Sequence, residues 1–141
     1  MKPSLRIYFL CGENRCRSQI AEAYAKGMAR EDVIINSAGL HPSEIHLLTH
    51  SVMNEVGIDL NSHHSKKIDM KTFIASTIVV KLCEEIKEKC PVVPFGTRNV
   101  LWNIQDPLLG ITPKIENVRL ARDEIKQNVL DLLKQYNALK E

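Results

Sequence analysis

The stretch of this chain best suited to chemistry is Cys11-Gly12-Glu13-Asn14-Arg15-Cys16-Arg17-Ser18, a cysteine followed six residues later by an arginine and then a serine. A tetrahedral oxyanion needs many donors and few acceptors. The amides of such a loop converge as a nest, and a helix beginning at its end adds partial positive charge. Arg17 adds two parallel hydrogen bonds, which a lysine cannot. The same field favours a thiolate at Cys11, and Ser18 can donate its hydroxyl to that sulfur. Asn14 suits the left-handed backbone such a loop needs, and its amide can brace the loop from inside. Cys11 is therefore the expected nucleophile. The amides of Gly12, Glu13, Asn14, Arg15, Cys16 and Arg17 are the expected oxyanion contacts. The bland alternative is a small, inert core cysteine at a strand end. The placement of Cys-x5-Arg-Ser between a strand and a helix argues against it.

Elements on both sides must hold that loop. The apolar run Leu5–Leu10 reads as a buried strand, and Gln19–Arg30 has helical spacing with Ile20, Tyr24 and Met28 on one face. Val33–Ala38 reads as a second strand ended by Gly39, which completes a βαβ unit. Leu40–Ile45 reads as loop, Leu47–Val56 as a helix with Gly57 as its C-cap, and Asn61–Lys67 as a polar surface loop. A short helix is expected at Asp69–Ile74, a strong strand at Thr77–Leu82, and a helix at Glu84–Lys89 closed by Cys90-Pro91. Val92–Phe95 reads as a further short strand, and Asn99–Ile104 as another, with Trp102 in the core. Ile115–Leu139 reads as one amphipathic helix: Val118, Ala121, Ile125, Val129, Leu132 and Tyr136 recur on one side, with Arg119, Arg122 and Lys126 on a solvated face. The pattern is α/β with a parallel sheet.

Ligands of open parallel sheets sit off the carboxyl ends of strands, so Cys83 should share an edge with Cys11. Cys83 and Cys90 stand seven apart. On an intact helix that is about 10.5 Å, beyond the roughly 7 Å that a disulfide spans. Bridging them requires the helix between them to unwind, which would couple oxidation to a conformational switch; two unrelated cysteines are the alternative. Asp106 is either a general acid for a leaving oxygen or a plain Asp-Pro turn with Pro107, and position leaves both open. His46 and His50, four apart, could chelate a metal, but no third ligand is evident, so a solvated face is expected.

The 141 residues, 44% of them hydrophobic, suffice for a single domain (1–141) with a real core, and no linker or repeat interrupts them. A formal charge of +2 suggests no nucleic-acid surface, and no apolar run approaches the length of a membrane span. Met1-Lys2-Pro3-Ser4 leads directly into the first strand, which predicts no cleaved leader and a cytoplasmic enzyme. Four cysteines in that setting point to catalysis or redox traffic.

The Cys11–Ser18 loop, Asn36-Ser37-Ala38-Gly39, Ile58-Asp59, Val79-Val80-Lys81-Leu82-Cys83, Cys90-Pro91, Asp106-Pro107 and Val118–Ile125 together resemble the thioredoxin-coupled arsenate reductases, which share the low-molecular-weight protein tyrosine phosphatase fold. The resemblance covers nearly the whole chain. It implies a three-layer domain, a central parallel four-stranded sheet flanked by helices. The Cys83/Cys90 pair points to the reductases; the phosphatases carry aromatic residues after Asp-Pro, and here Leu108 follows. The implied mechanism has Cys11 attack arsenate held by the loop and Arg17, with Asp106 protonating the leaving oxygen. Cys83 then forms a Cys11–Cys83 disulfide, and Cys90 passes it to Cys83–Cys90 for thioredoxin to reduce. No cofactor is implied, phosphate or sulfate would mimic the substrate, and a monomer is expected. A phosphatase using Cys11, Arg17 and Asp106, or a non-catalytic oxyanion or redox sensor, are the competing readings. Glu13 stands where the family has glycine, with Gly12 before it; a carboxylate there would repel an anion unless it points outward or pairs with Arg15. Many relatives hold potassium behind the loop. Asn14, Glu22 and Ser37 match that site, while Lys66 stands in place of an aspartate, so its ammonium is expected to fill the ion's role against Glu22. Cys16 is expected to be structural, exposed to an off-pathway Cys11–Cys16 disulfide.

Overall fold

The computed structural model describes residues 4–140. Met1–Pro3, which enter the expectation about a leader, lie outside the described residues. The elements in chain order are β1 (Arg6–Cys11), α1 (Arg17–Met28), β2 (Ile34–Gly39), α2 (Leu47–Asn54), α3 (Met70–Ala75), β3 (Ile78–Lys81), α4 (Glu84–Lys89), β4 (Arg98–Leu101) and α5 (Ile115–Gln135). The four strands form one sheet in the order β2-β1-β3-β4, and every pairing is parallel.

The central strands read as near-continuous apolar runs because helices cover the sheet. In β1 only Arg6 is exposed, and all four residues of β3 are buried. β4, at the edge, is mostly exposed. α1 packs on β1 and β2 and against α5, which also meets α2; α3 and α4 pack on β1. Phe9, Leu10, Ile20, Phe73, Leu82 and Ile125 are among the fully buried side chains of one continuous core. Each such burial contributes about 1.5–3 kcal/mol. Trp102 joins that core, its ring centroid 5.9 Å from that of Phe9. No helix among the described residues is long and apolar enough to cross a membrane.

Helix ends follow local rules. Gly57, at φ +79°, ends α2: its N–H donates to Asn54, and the Ile58 N–H donates to Met53. His46 is spent as the N-cap of α2, its Nδ1 accepting from the Leu48 N–H at 3.1 Å. Among the described residues no three His, Cys, Asp or Glu side chains cluster to hold a metal.

Three expectations are corrected. Val92–Phe95 is not a strand; Pro91 and Pro94 remove two ladder donors, and Phe95 is fully exposed in a turn. Arg122 is not on a solvated face. Its guanidinium donates to the Val52 carbonyl (3.0 Å) and the Glu55 carboxylate (2.8 Å), tying α5 to the C-terminal end of α2. Arg119 grips Glu55 with two nitrogens, and the pair holds the Glu55 carboxyl below the usual carboxylate range. Finally, α5 stops at Gln135 rather than Leu139; Asn137, at φ 55°, turns the chain.

Candidate active site

The strand order reverses around β1, with β2 on one side and β3 on the other, so the crevice at their carboxyl ends is the topological switch point. Cys11 is the last residue of β1, and α1 begins at Arg17. The residues between them form a tight loop whose carbonyls from Gly12 to Arg15 are engaged from outside it. Those of Gly12, Glu13 and Arg15 accept from the N–H groups of His41 (2.9 Å), Ser43 (3.1 Å) and His46 (3.1 Å). That of Asn14 accepts from the Ser65 hydroxyl at 2.8 Å. With the carbonyls so engaged, the Asn14 N–H turns toward Cys11 Sγ, 3.3 Å away. The segment 41–46 thus orients the loop, a role its irregular sequence did not disclose.

Gly39 makes the loop's position possible. A β-carbon there would stand 2.7 Å from the Asn14 nitrogen and 2.9 Å from the Glu13 carbonyl carbon. Only a glycine lets β2 approach that closely.

Asn14 adopts φ 52° and is fully buried, as its type predicted. The Lys66 backbone N–H donates to Asn14 Oδ1 at 2.9 Å, and a backbone donor fixes which way the amide points. Asn14 Nδ2 therefore donates to Ser18 Oγ (2.7 Å) and Ser37 Oγ (3.0 Å). Ser37 in turn donates to Glu22 Oε1 at 2.7 Å. Ser18, having accepted from Asn14, has its own proton free for Cys11 Sγ, 2.8 Å away. Donors run outward from Asn14 along two branches, one ending on a buried carboxylate and the other on the sulfur.

Arg17 projects into the cavity that Cys11, Gly12, Glu13, Arg15, Cys16, Glu85 and Asp106 also line. Its Nη1 donates to the Ile104 carbonyl at 2.7 Å, just beyond β4, which leaves its other N–H groups for a ligand. Asp106 borders the same cavity while its Oδ1 accepts from the Leu108 N–H at 3.0 Å. It is both an Asp-Pro turn and a carboxylate facing the cradle. Glu13 pairs with Arg15 at 3.0 Å.

Cys16 is buried, and burial pushes its thiol up to about 12. Cys83 is buried at the N-cap of α4, and Cys90 is half-buried at its C-cap. The Leu82 N–H donates to the Leu10 carbonyl, so Cys83 and Cys11 leave the sheet from neighbouring strand ends. α4 between Cys83 and Cys90 is an intact helix, and all four cysteines are free thiols. Burial raises the Cys90 thiol, and the Lys81 ammonium opposes that rise.

Behind the loop, the Glu22 carboxylate meets Lys26 Nζ at 3.0 Å and Lys66 Nζ at 3.6 Å. Two ammonium groups already neutralise this one buried carboxylate and would repel a potassium ion, so the residues present do not fit that metal. Glu85, which no sequence rule singled out, reaches the cavity because α4 folds back over Gly12.

Residues 6–141 match the family described as low molecular weight phosphotyrosine protein phosphatase. An arsenate reductase 1 from Staphylococcus haemolyticus is 35% identical over 123 residues, covering 87% of this chain and 90% of that protein. Among solved structures, a thioredoxin-dependent arsenate reductase from Corynebacterium glutamicum is similar with a TM-score of 0.76 at 28% identity. That match covers 95% of this chain, which spans 62% of the other's length. An arginine phosphatase from Geobacillus stearothermophilus gives a TM-score of 0.80 at 26% identity, over 94% of this chain and 93% of that one.

Proposed function

This chain belongs to the low molecular weight phosphotyrosine protein phosphatase family, and on that premise we propose that it reduces arsenate to arsenite by a relay of Cys11, Cys83 and Cys90. One observation carries the choice. Beside an oxyanion cradle stand two further free thiols, at the two ends of a single short helix. Ester hydrolysis has no use for them. The kinship with a curated arsenate reductase over most of both chains supports the same reading.

In the first step the Cys11 thiolate attacks arsenic, and the oxygen displaced leaves as water with a proton from Asp106. The loop amides and Arg17 hold the remaining oxygens. Cys83, as thiolate, then attacks Cys11 Sγ. The sulfur–arsenic bond breaks, its electron pair stays on arsenic, and arsenite leaves as Cys11–Cys83 forms. Cys90 attacks Cys83 and releases the Cys11 thiolate. Cys83–Cys90 requires α4 to unwind, which exposes the disulfide to a dithiol reductant; we assign that role to thioredoxin in the cytoplasm, acting on a monomer. Ser18 and Asn14 position the nucleophile, and Lys66 with Lys26 supplies positive charge behind the loop.

The cradle with Asp106 also suits phosphate esters, so slow phosphatase activity is expected beside the reduction. Cys83→Ser separates the two readings. It should keep phosphatase turnover and lose multiple-turnover arsenate reduction with thioredoxin and its reductase. Undiminished reduction in that variant would sink the relay. Arsenate binding without arsenite formation in the parent would instead favour a sensor.

A further inference from the structure

Glu85 has no part in the relay, yet its carboxylate sits at the mouth of the cradle. A β-carbon on Gly12 would stand 3.0 Å from Glu85 Oε2, so the carboxylate lies against the bare backbone of residue 12. It lines the same narrow cavity as Cys11, Arg15, Arg17 and Asp106.

Three carboxylates border that cavity, and they are not equivalent. Glu13 is held by Arg15 at 3.0 Å and by the Ser43 hydroxyl at 3.3 Å. Asp106 accepts the Leu108 N–H. Among the described residues Glu85 has only Lys89, at 4.0 Å and largely in water, a pairing that contributes little. Its lone pairs remain available to whatever occupies the cradle.

An available acceptor changes what an anion site selects. Amides and arginines alone rank ligands by negative charge. A carboxylate oxygen facing the bound anion repels every bare oxygen and is satisfied only by one that carries a proton. Near neutral pH arsenate and phosphate each carry at least one O–H, and sulfate carries none. We propose that Glu85 is a specificity-determining residue that accepts a hydrogen bond from the protonated oxygen of the bound oxyanion, favouring arsenate and phosphate over sulfate. The inference rests on the reading of the loop as an oxyanion cradle.

The test is protection of Cys11 in the reduced protein from iodoacetamide, followed by mass spectrometry of the Cys11 peptide. Phosphate and sulfate are titrated separately near neutral pH at fixed ionic strength. Phosphate should protect at a concentration about tenfold below sulfate. A fully buried polar pairing would discriminate far more, but Glu85 is half in water. Glu85→Gln keeps the shape and offers a donor. It should bring the two concentrations to about equal, chiefly by tightening sulfate, with the melting temperature unchanged. Glu85→Ala should move the ratio the same way. A parent that binds sulfate as well as phosphate, or a ratio unmoved in both variants, overturns the role of Glu85 alone. Failure of both anions to protect Cys11 overturns the cradle reading with it. A ratio that shifts in a protein unable to reduce arsenate upholds the selectivity and removes the relay.

Discussion

In the loop around Cys11 each backbone carbonyl from Gly12 to Arg15 has a donor outside the loop, and Asn14 and Ser18 are fully buried. In α4, at the neighbouring strand end, Ile86 is the only buried residue of six. A helix so short is not stable on its own in water. Glu84 and Glu85 in its first turn and Lys87 and Lys89 in its last complement its dipole, worth a few tenths of a kcal/mol each. Beyond it the chain runs through Pro91 and Pro94 with Val92 and Phe95 in solvent. The difference matches the tasks proposed for the two regions. A cradle that stabilises developing charge must be organised before the ligand arrives. A helix that separates two thiols by more than a disulfide's span must give way afterwards.

The most severe way to break this contrast is Gly39→Ala. Its β-carbon would meet loop backbone at 2.7 and 2.9 Å, and backbone braced on both sides cannot step aside cheaply. Misplacing reacting groups by an ångström costs roughly 100-fold, so turnover should fall at least that far while far-UV circular dichroism stays unchanged. A matching substitution on the exposed face of α4, Lys87→Ala, should leave turnover within about twofold, since surface changes are usually within 0.5 kcal/mol. If Gly39→Ala retained full activity, the loop would not be the rigid partner.

A second test uses the thiols themselves. Cys16 lies inside the rigid region, and its thiol is pushed up to about 12 by burial. The folded state therefore keeps a proton that the unfolded chain loses at the ordinary thiol value. The stability this represents is complete below about pH 9 and declines as pH rises toward 12, by at most about 1.4 kcal/mol per pH unit. Urea unfolding between pH 8 and about 10.5 should show that decline, and Cys16→Ala should make it shallower, with the rest left to groups such as Cys90 that burial also raises. In the same pH range iodoacetamide should label half-buried Cys90 in the native protein and Cys16 only after unfolding. Equal labelling rates would erase the difference between the two regions.

Much of the rigid region was legible because local rules govern it. The Cys11–Ser18 motif, the left-handed Asn14, the Gly57 cap and the apolar strands each depend on residues adjacent in sequence. Glu85, the segment 41–46 and the Ile104 carbonyl that anchors Arg17 escaped notice because they reach the loop across the fold. Asn61–Lys67 reads as a surface loop by composition, yet two of its residues serve Asn14 from behind, Ser65 through its hydroxyl and Lys66 through its N–H. Arg122 fits a solvated helical face by periodicity, which is blind to the α2 carbonyl it meets. The Val92–Phe95 strand fails for a local reason: the β-propensity of its valines does not outweigh Pro91 and Pro94, which remove ladder donors.

The smallest expected effect concerns the charge behind the cradle. Glu22 is buried, and its carboxylate takes the Ser37 hydroxyl at 2.7 Å, Lys26 at 3.0 Å and Lys66 at 3.6 Å. If the ammonium groups fill the place of a cation, the parent should show the same turnover and melting temperature in potassium as in sodium at equal ionic strength. Lys66→Ala removes one of them. Lys26 remains on Glu22, so the loss should be only about 1 kcal/mol, in the range of a partly exposed pair. The double variant Lys26→Ala/Lys66→Ala leaves the Glu22 carboxylate without a cation, and its melting temperature should rise with potassium more than with sodium. A potassium-specific response in the parent, or none in the double variant, would mean that Lys66 props the back of the loop through its backbone N–H alone, and that the rigidity there owes nothing to its charge.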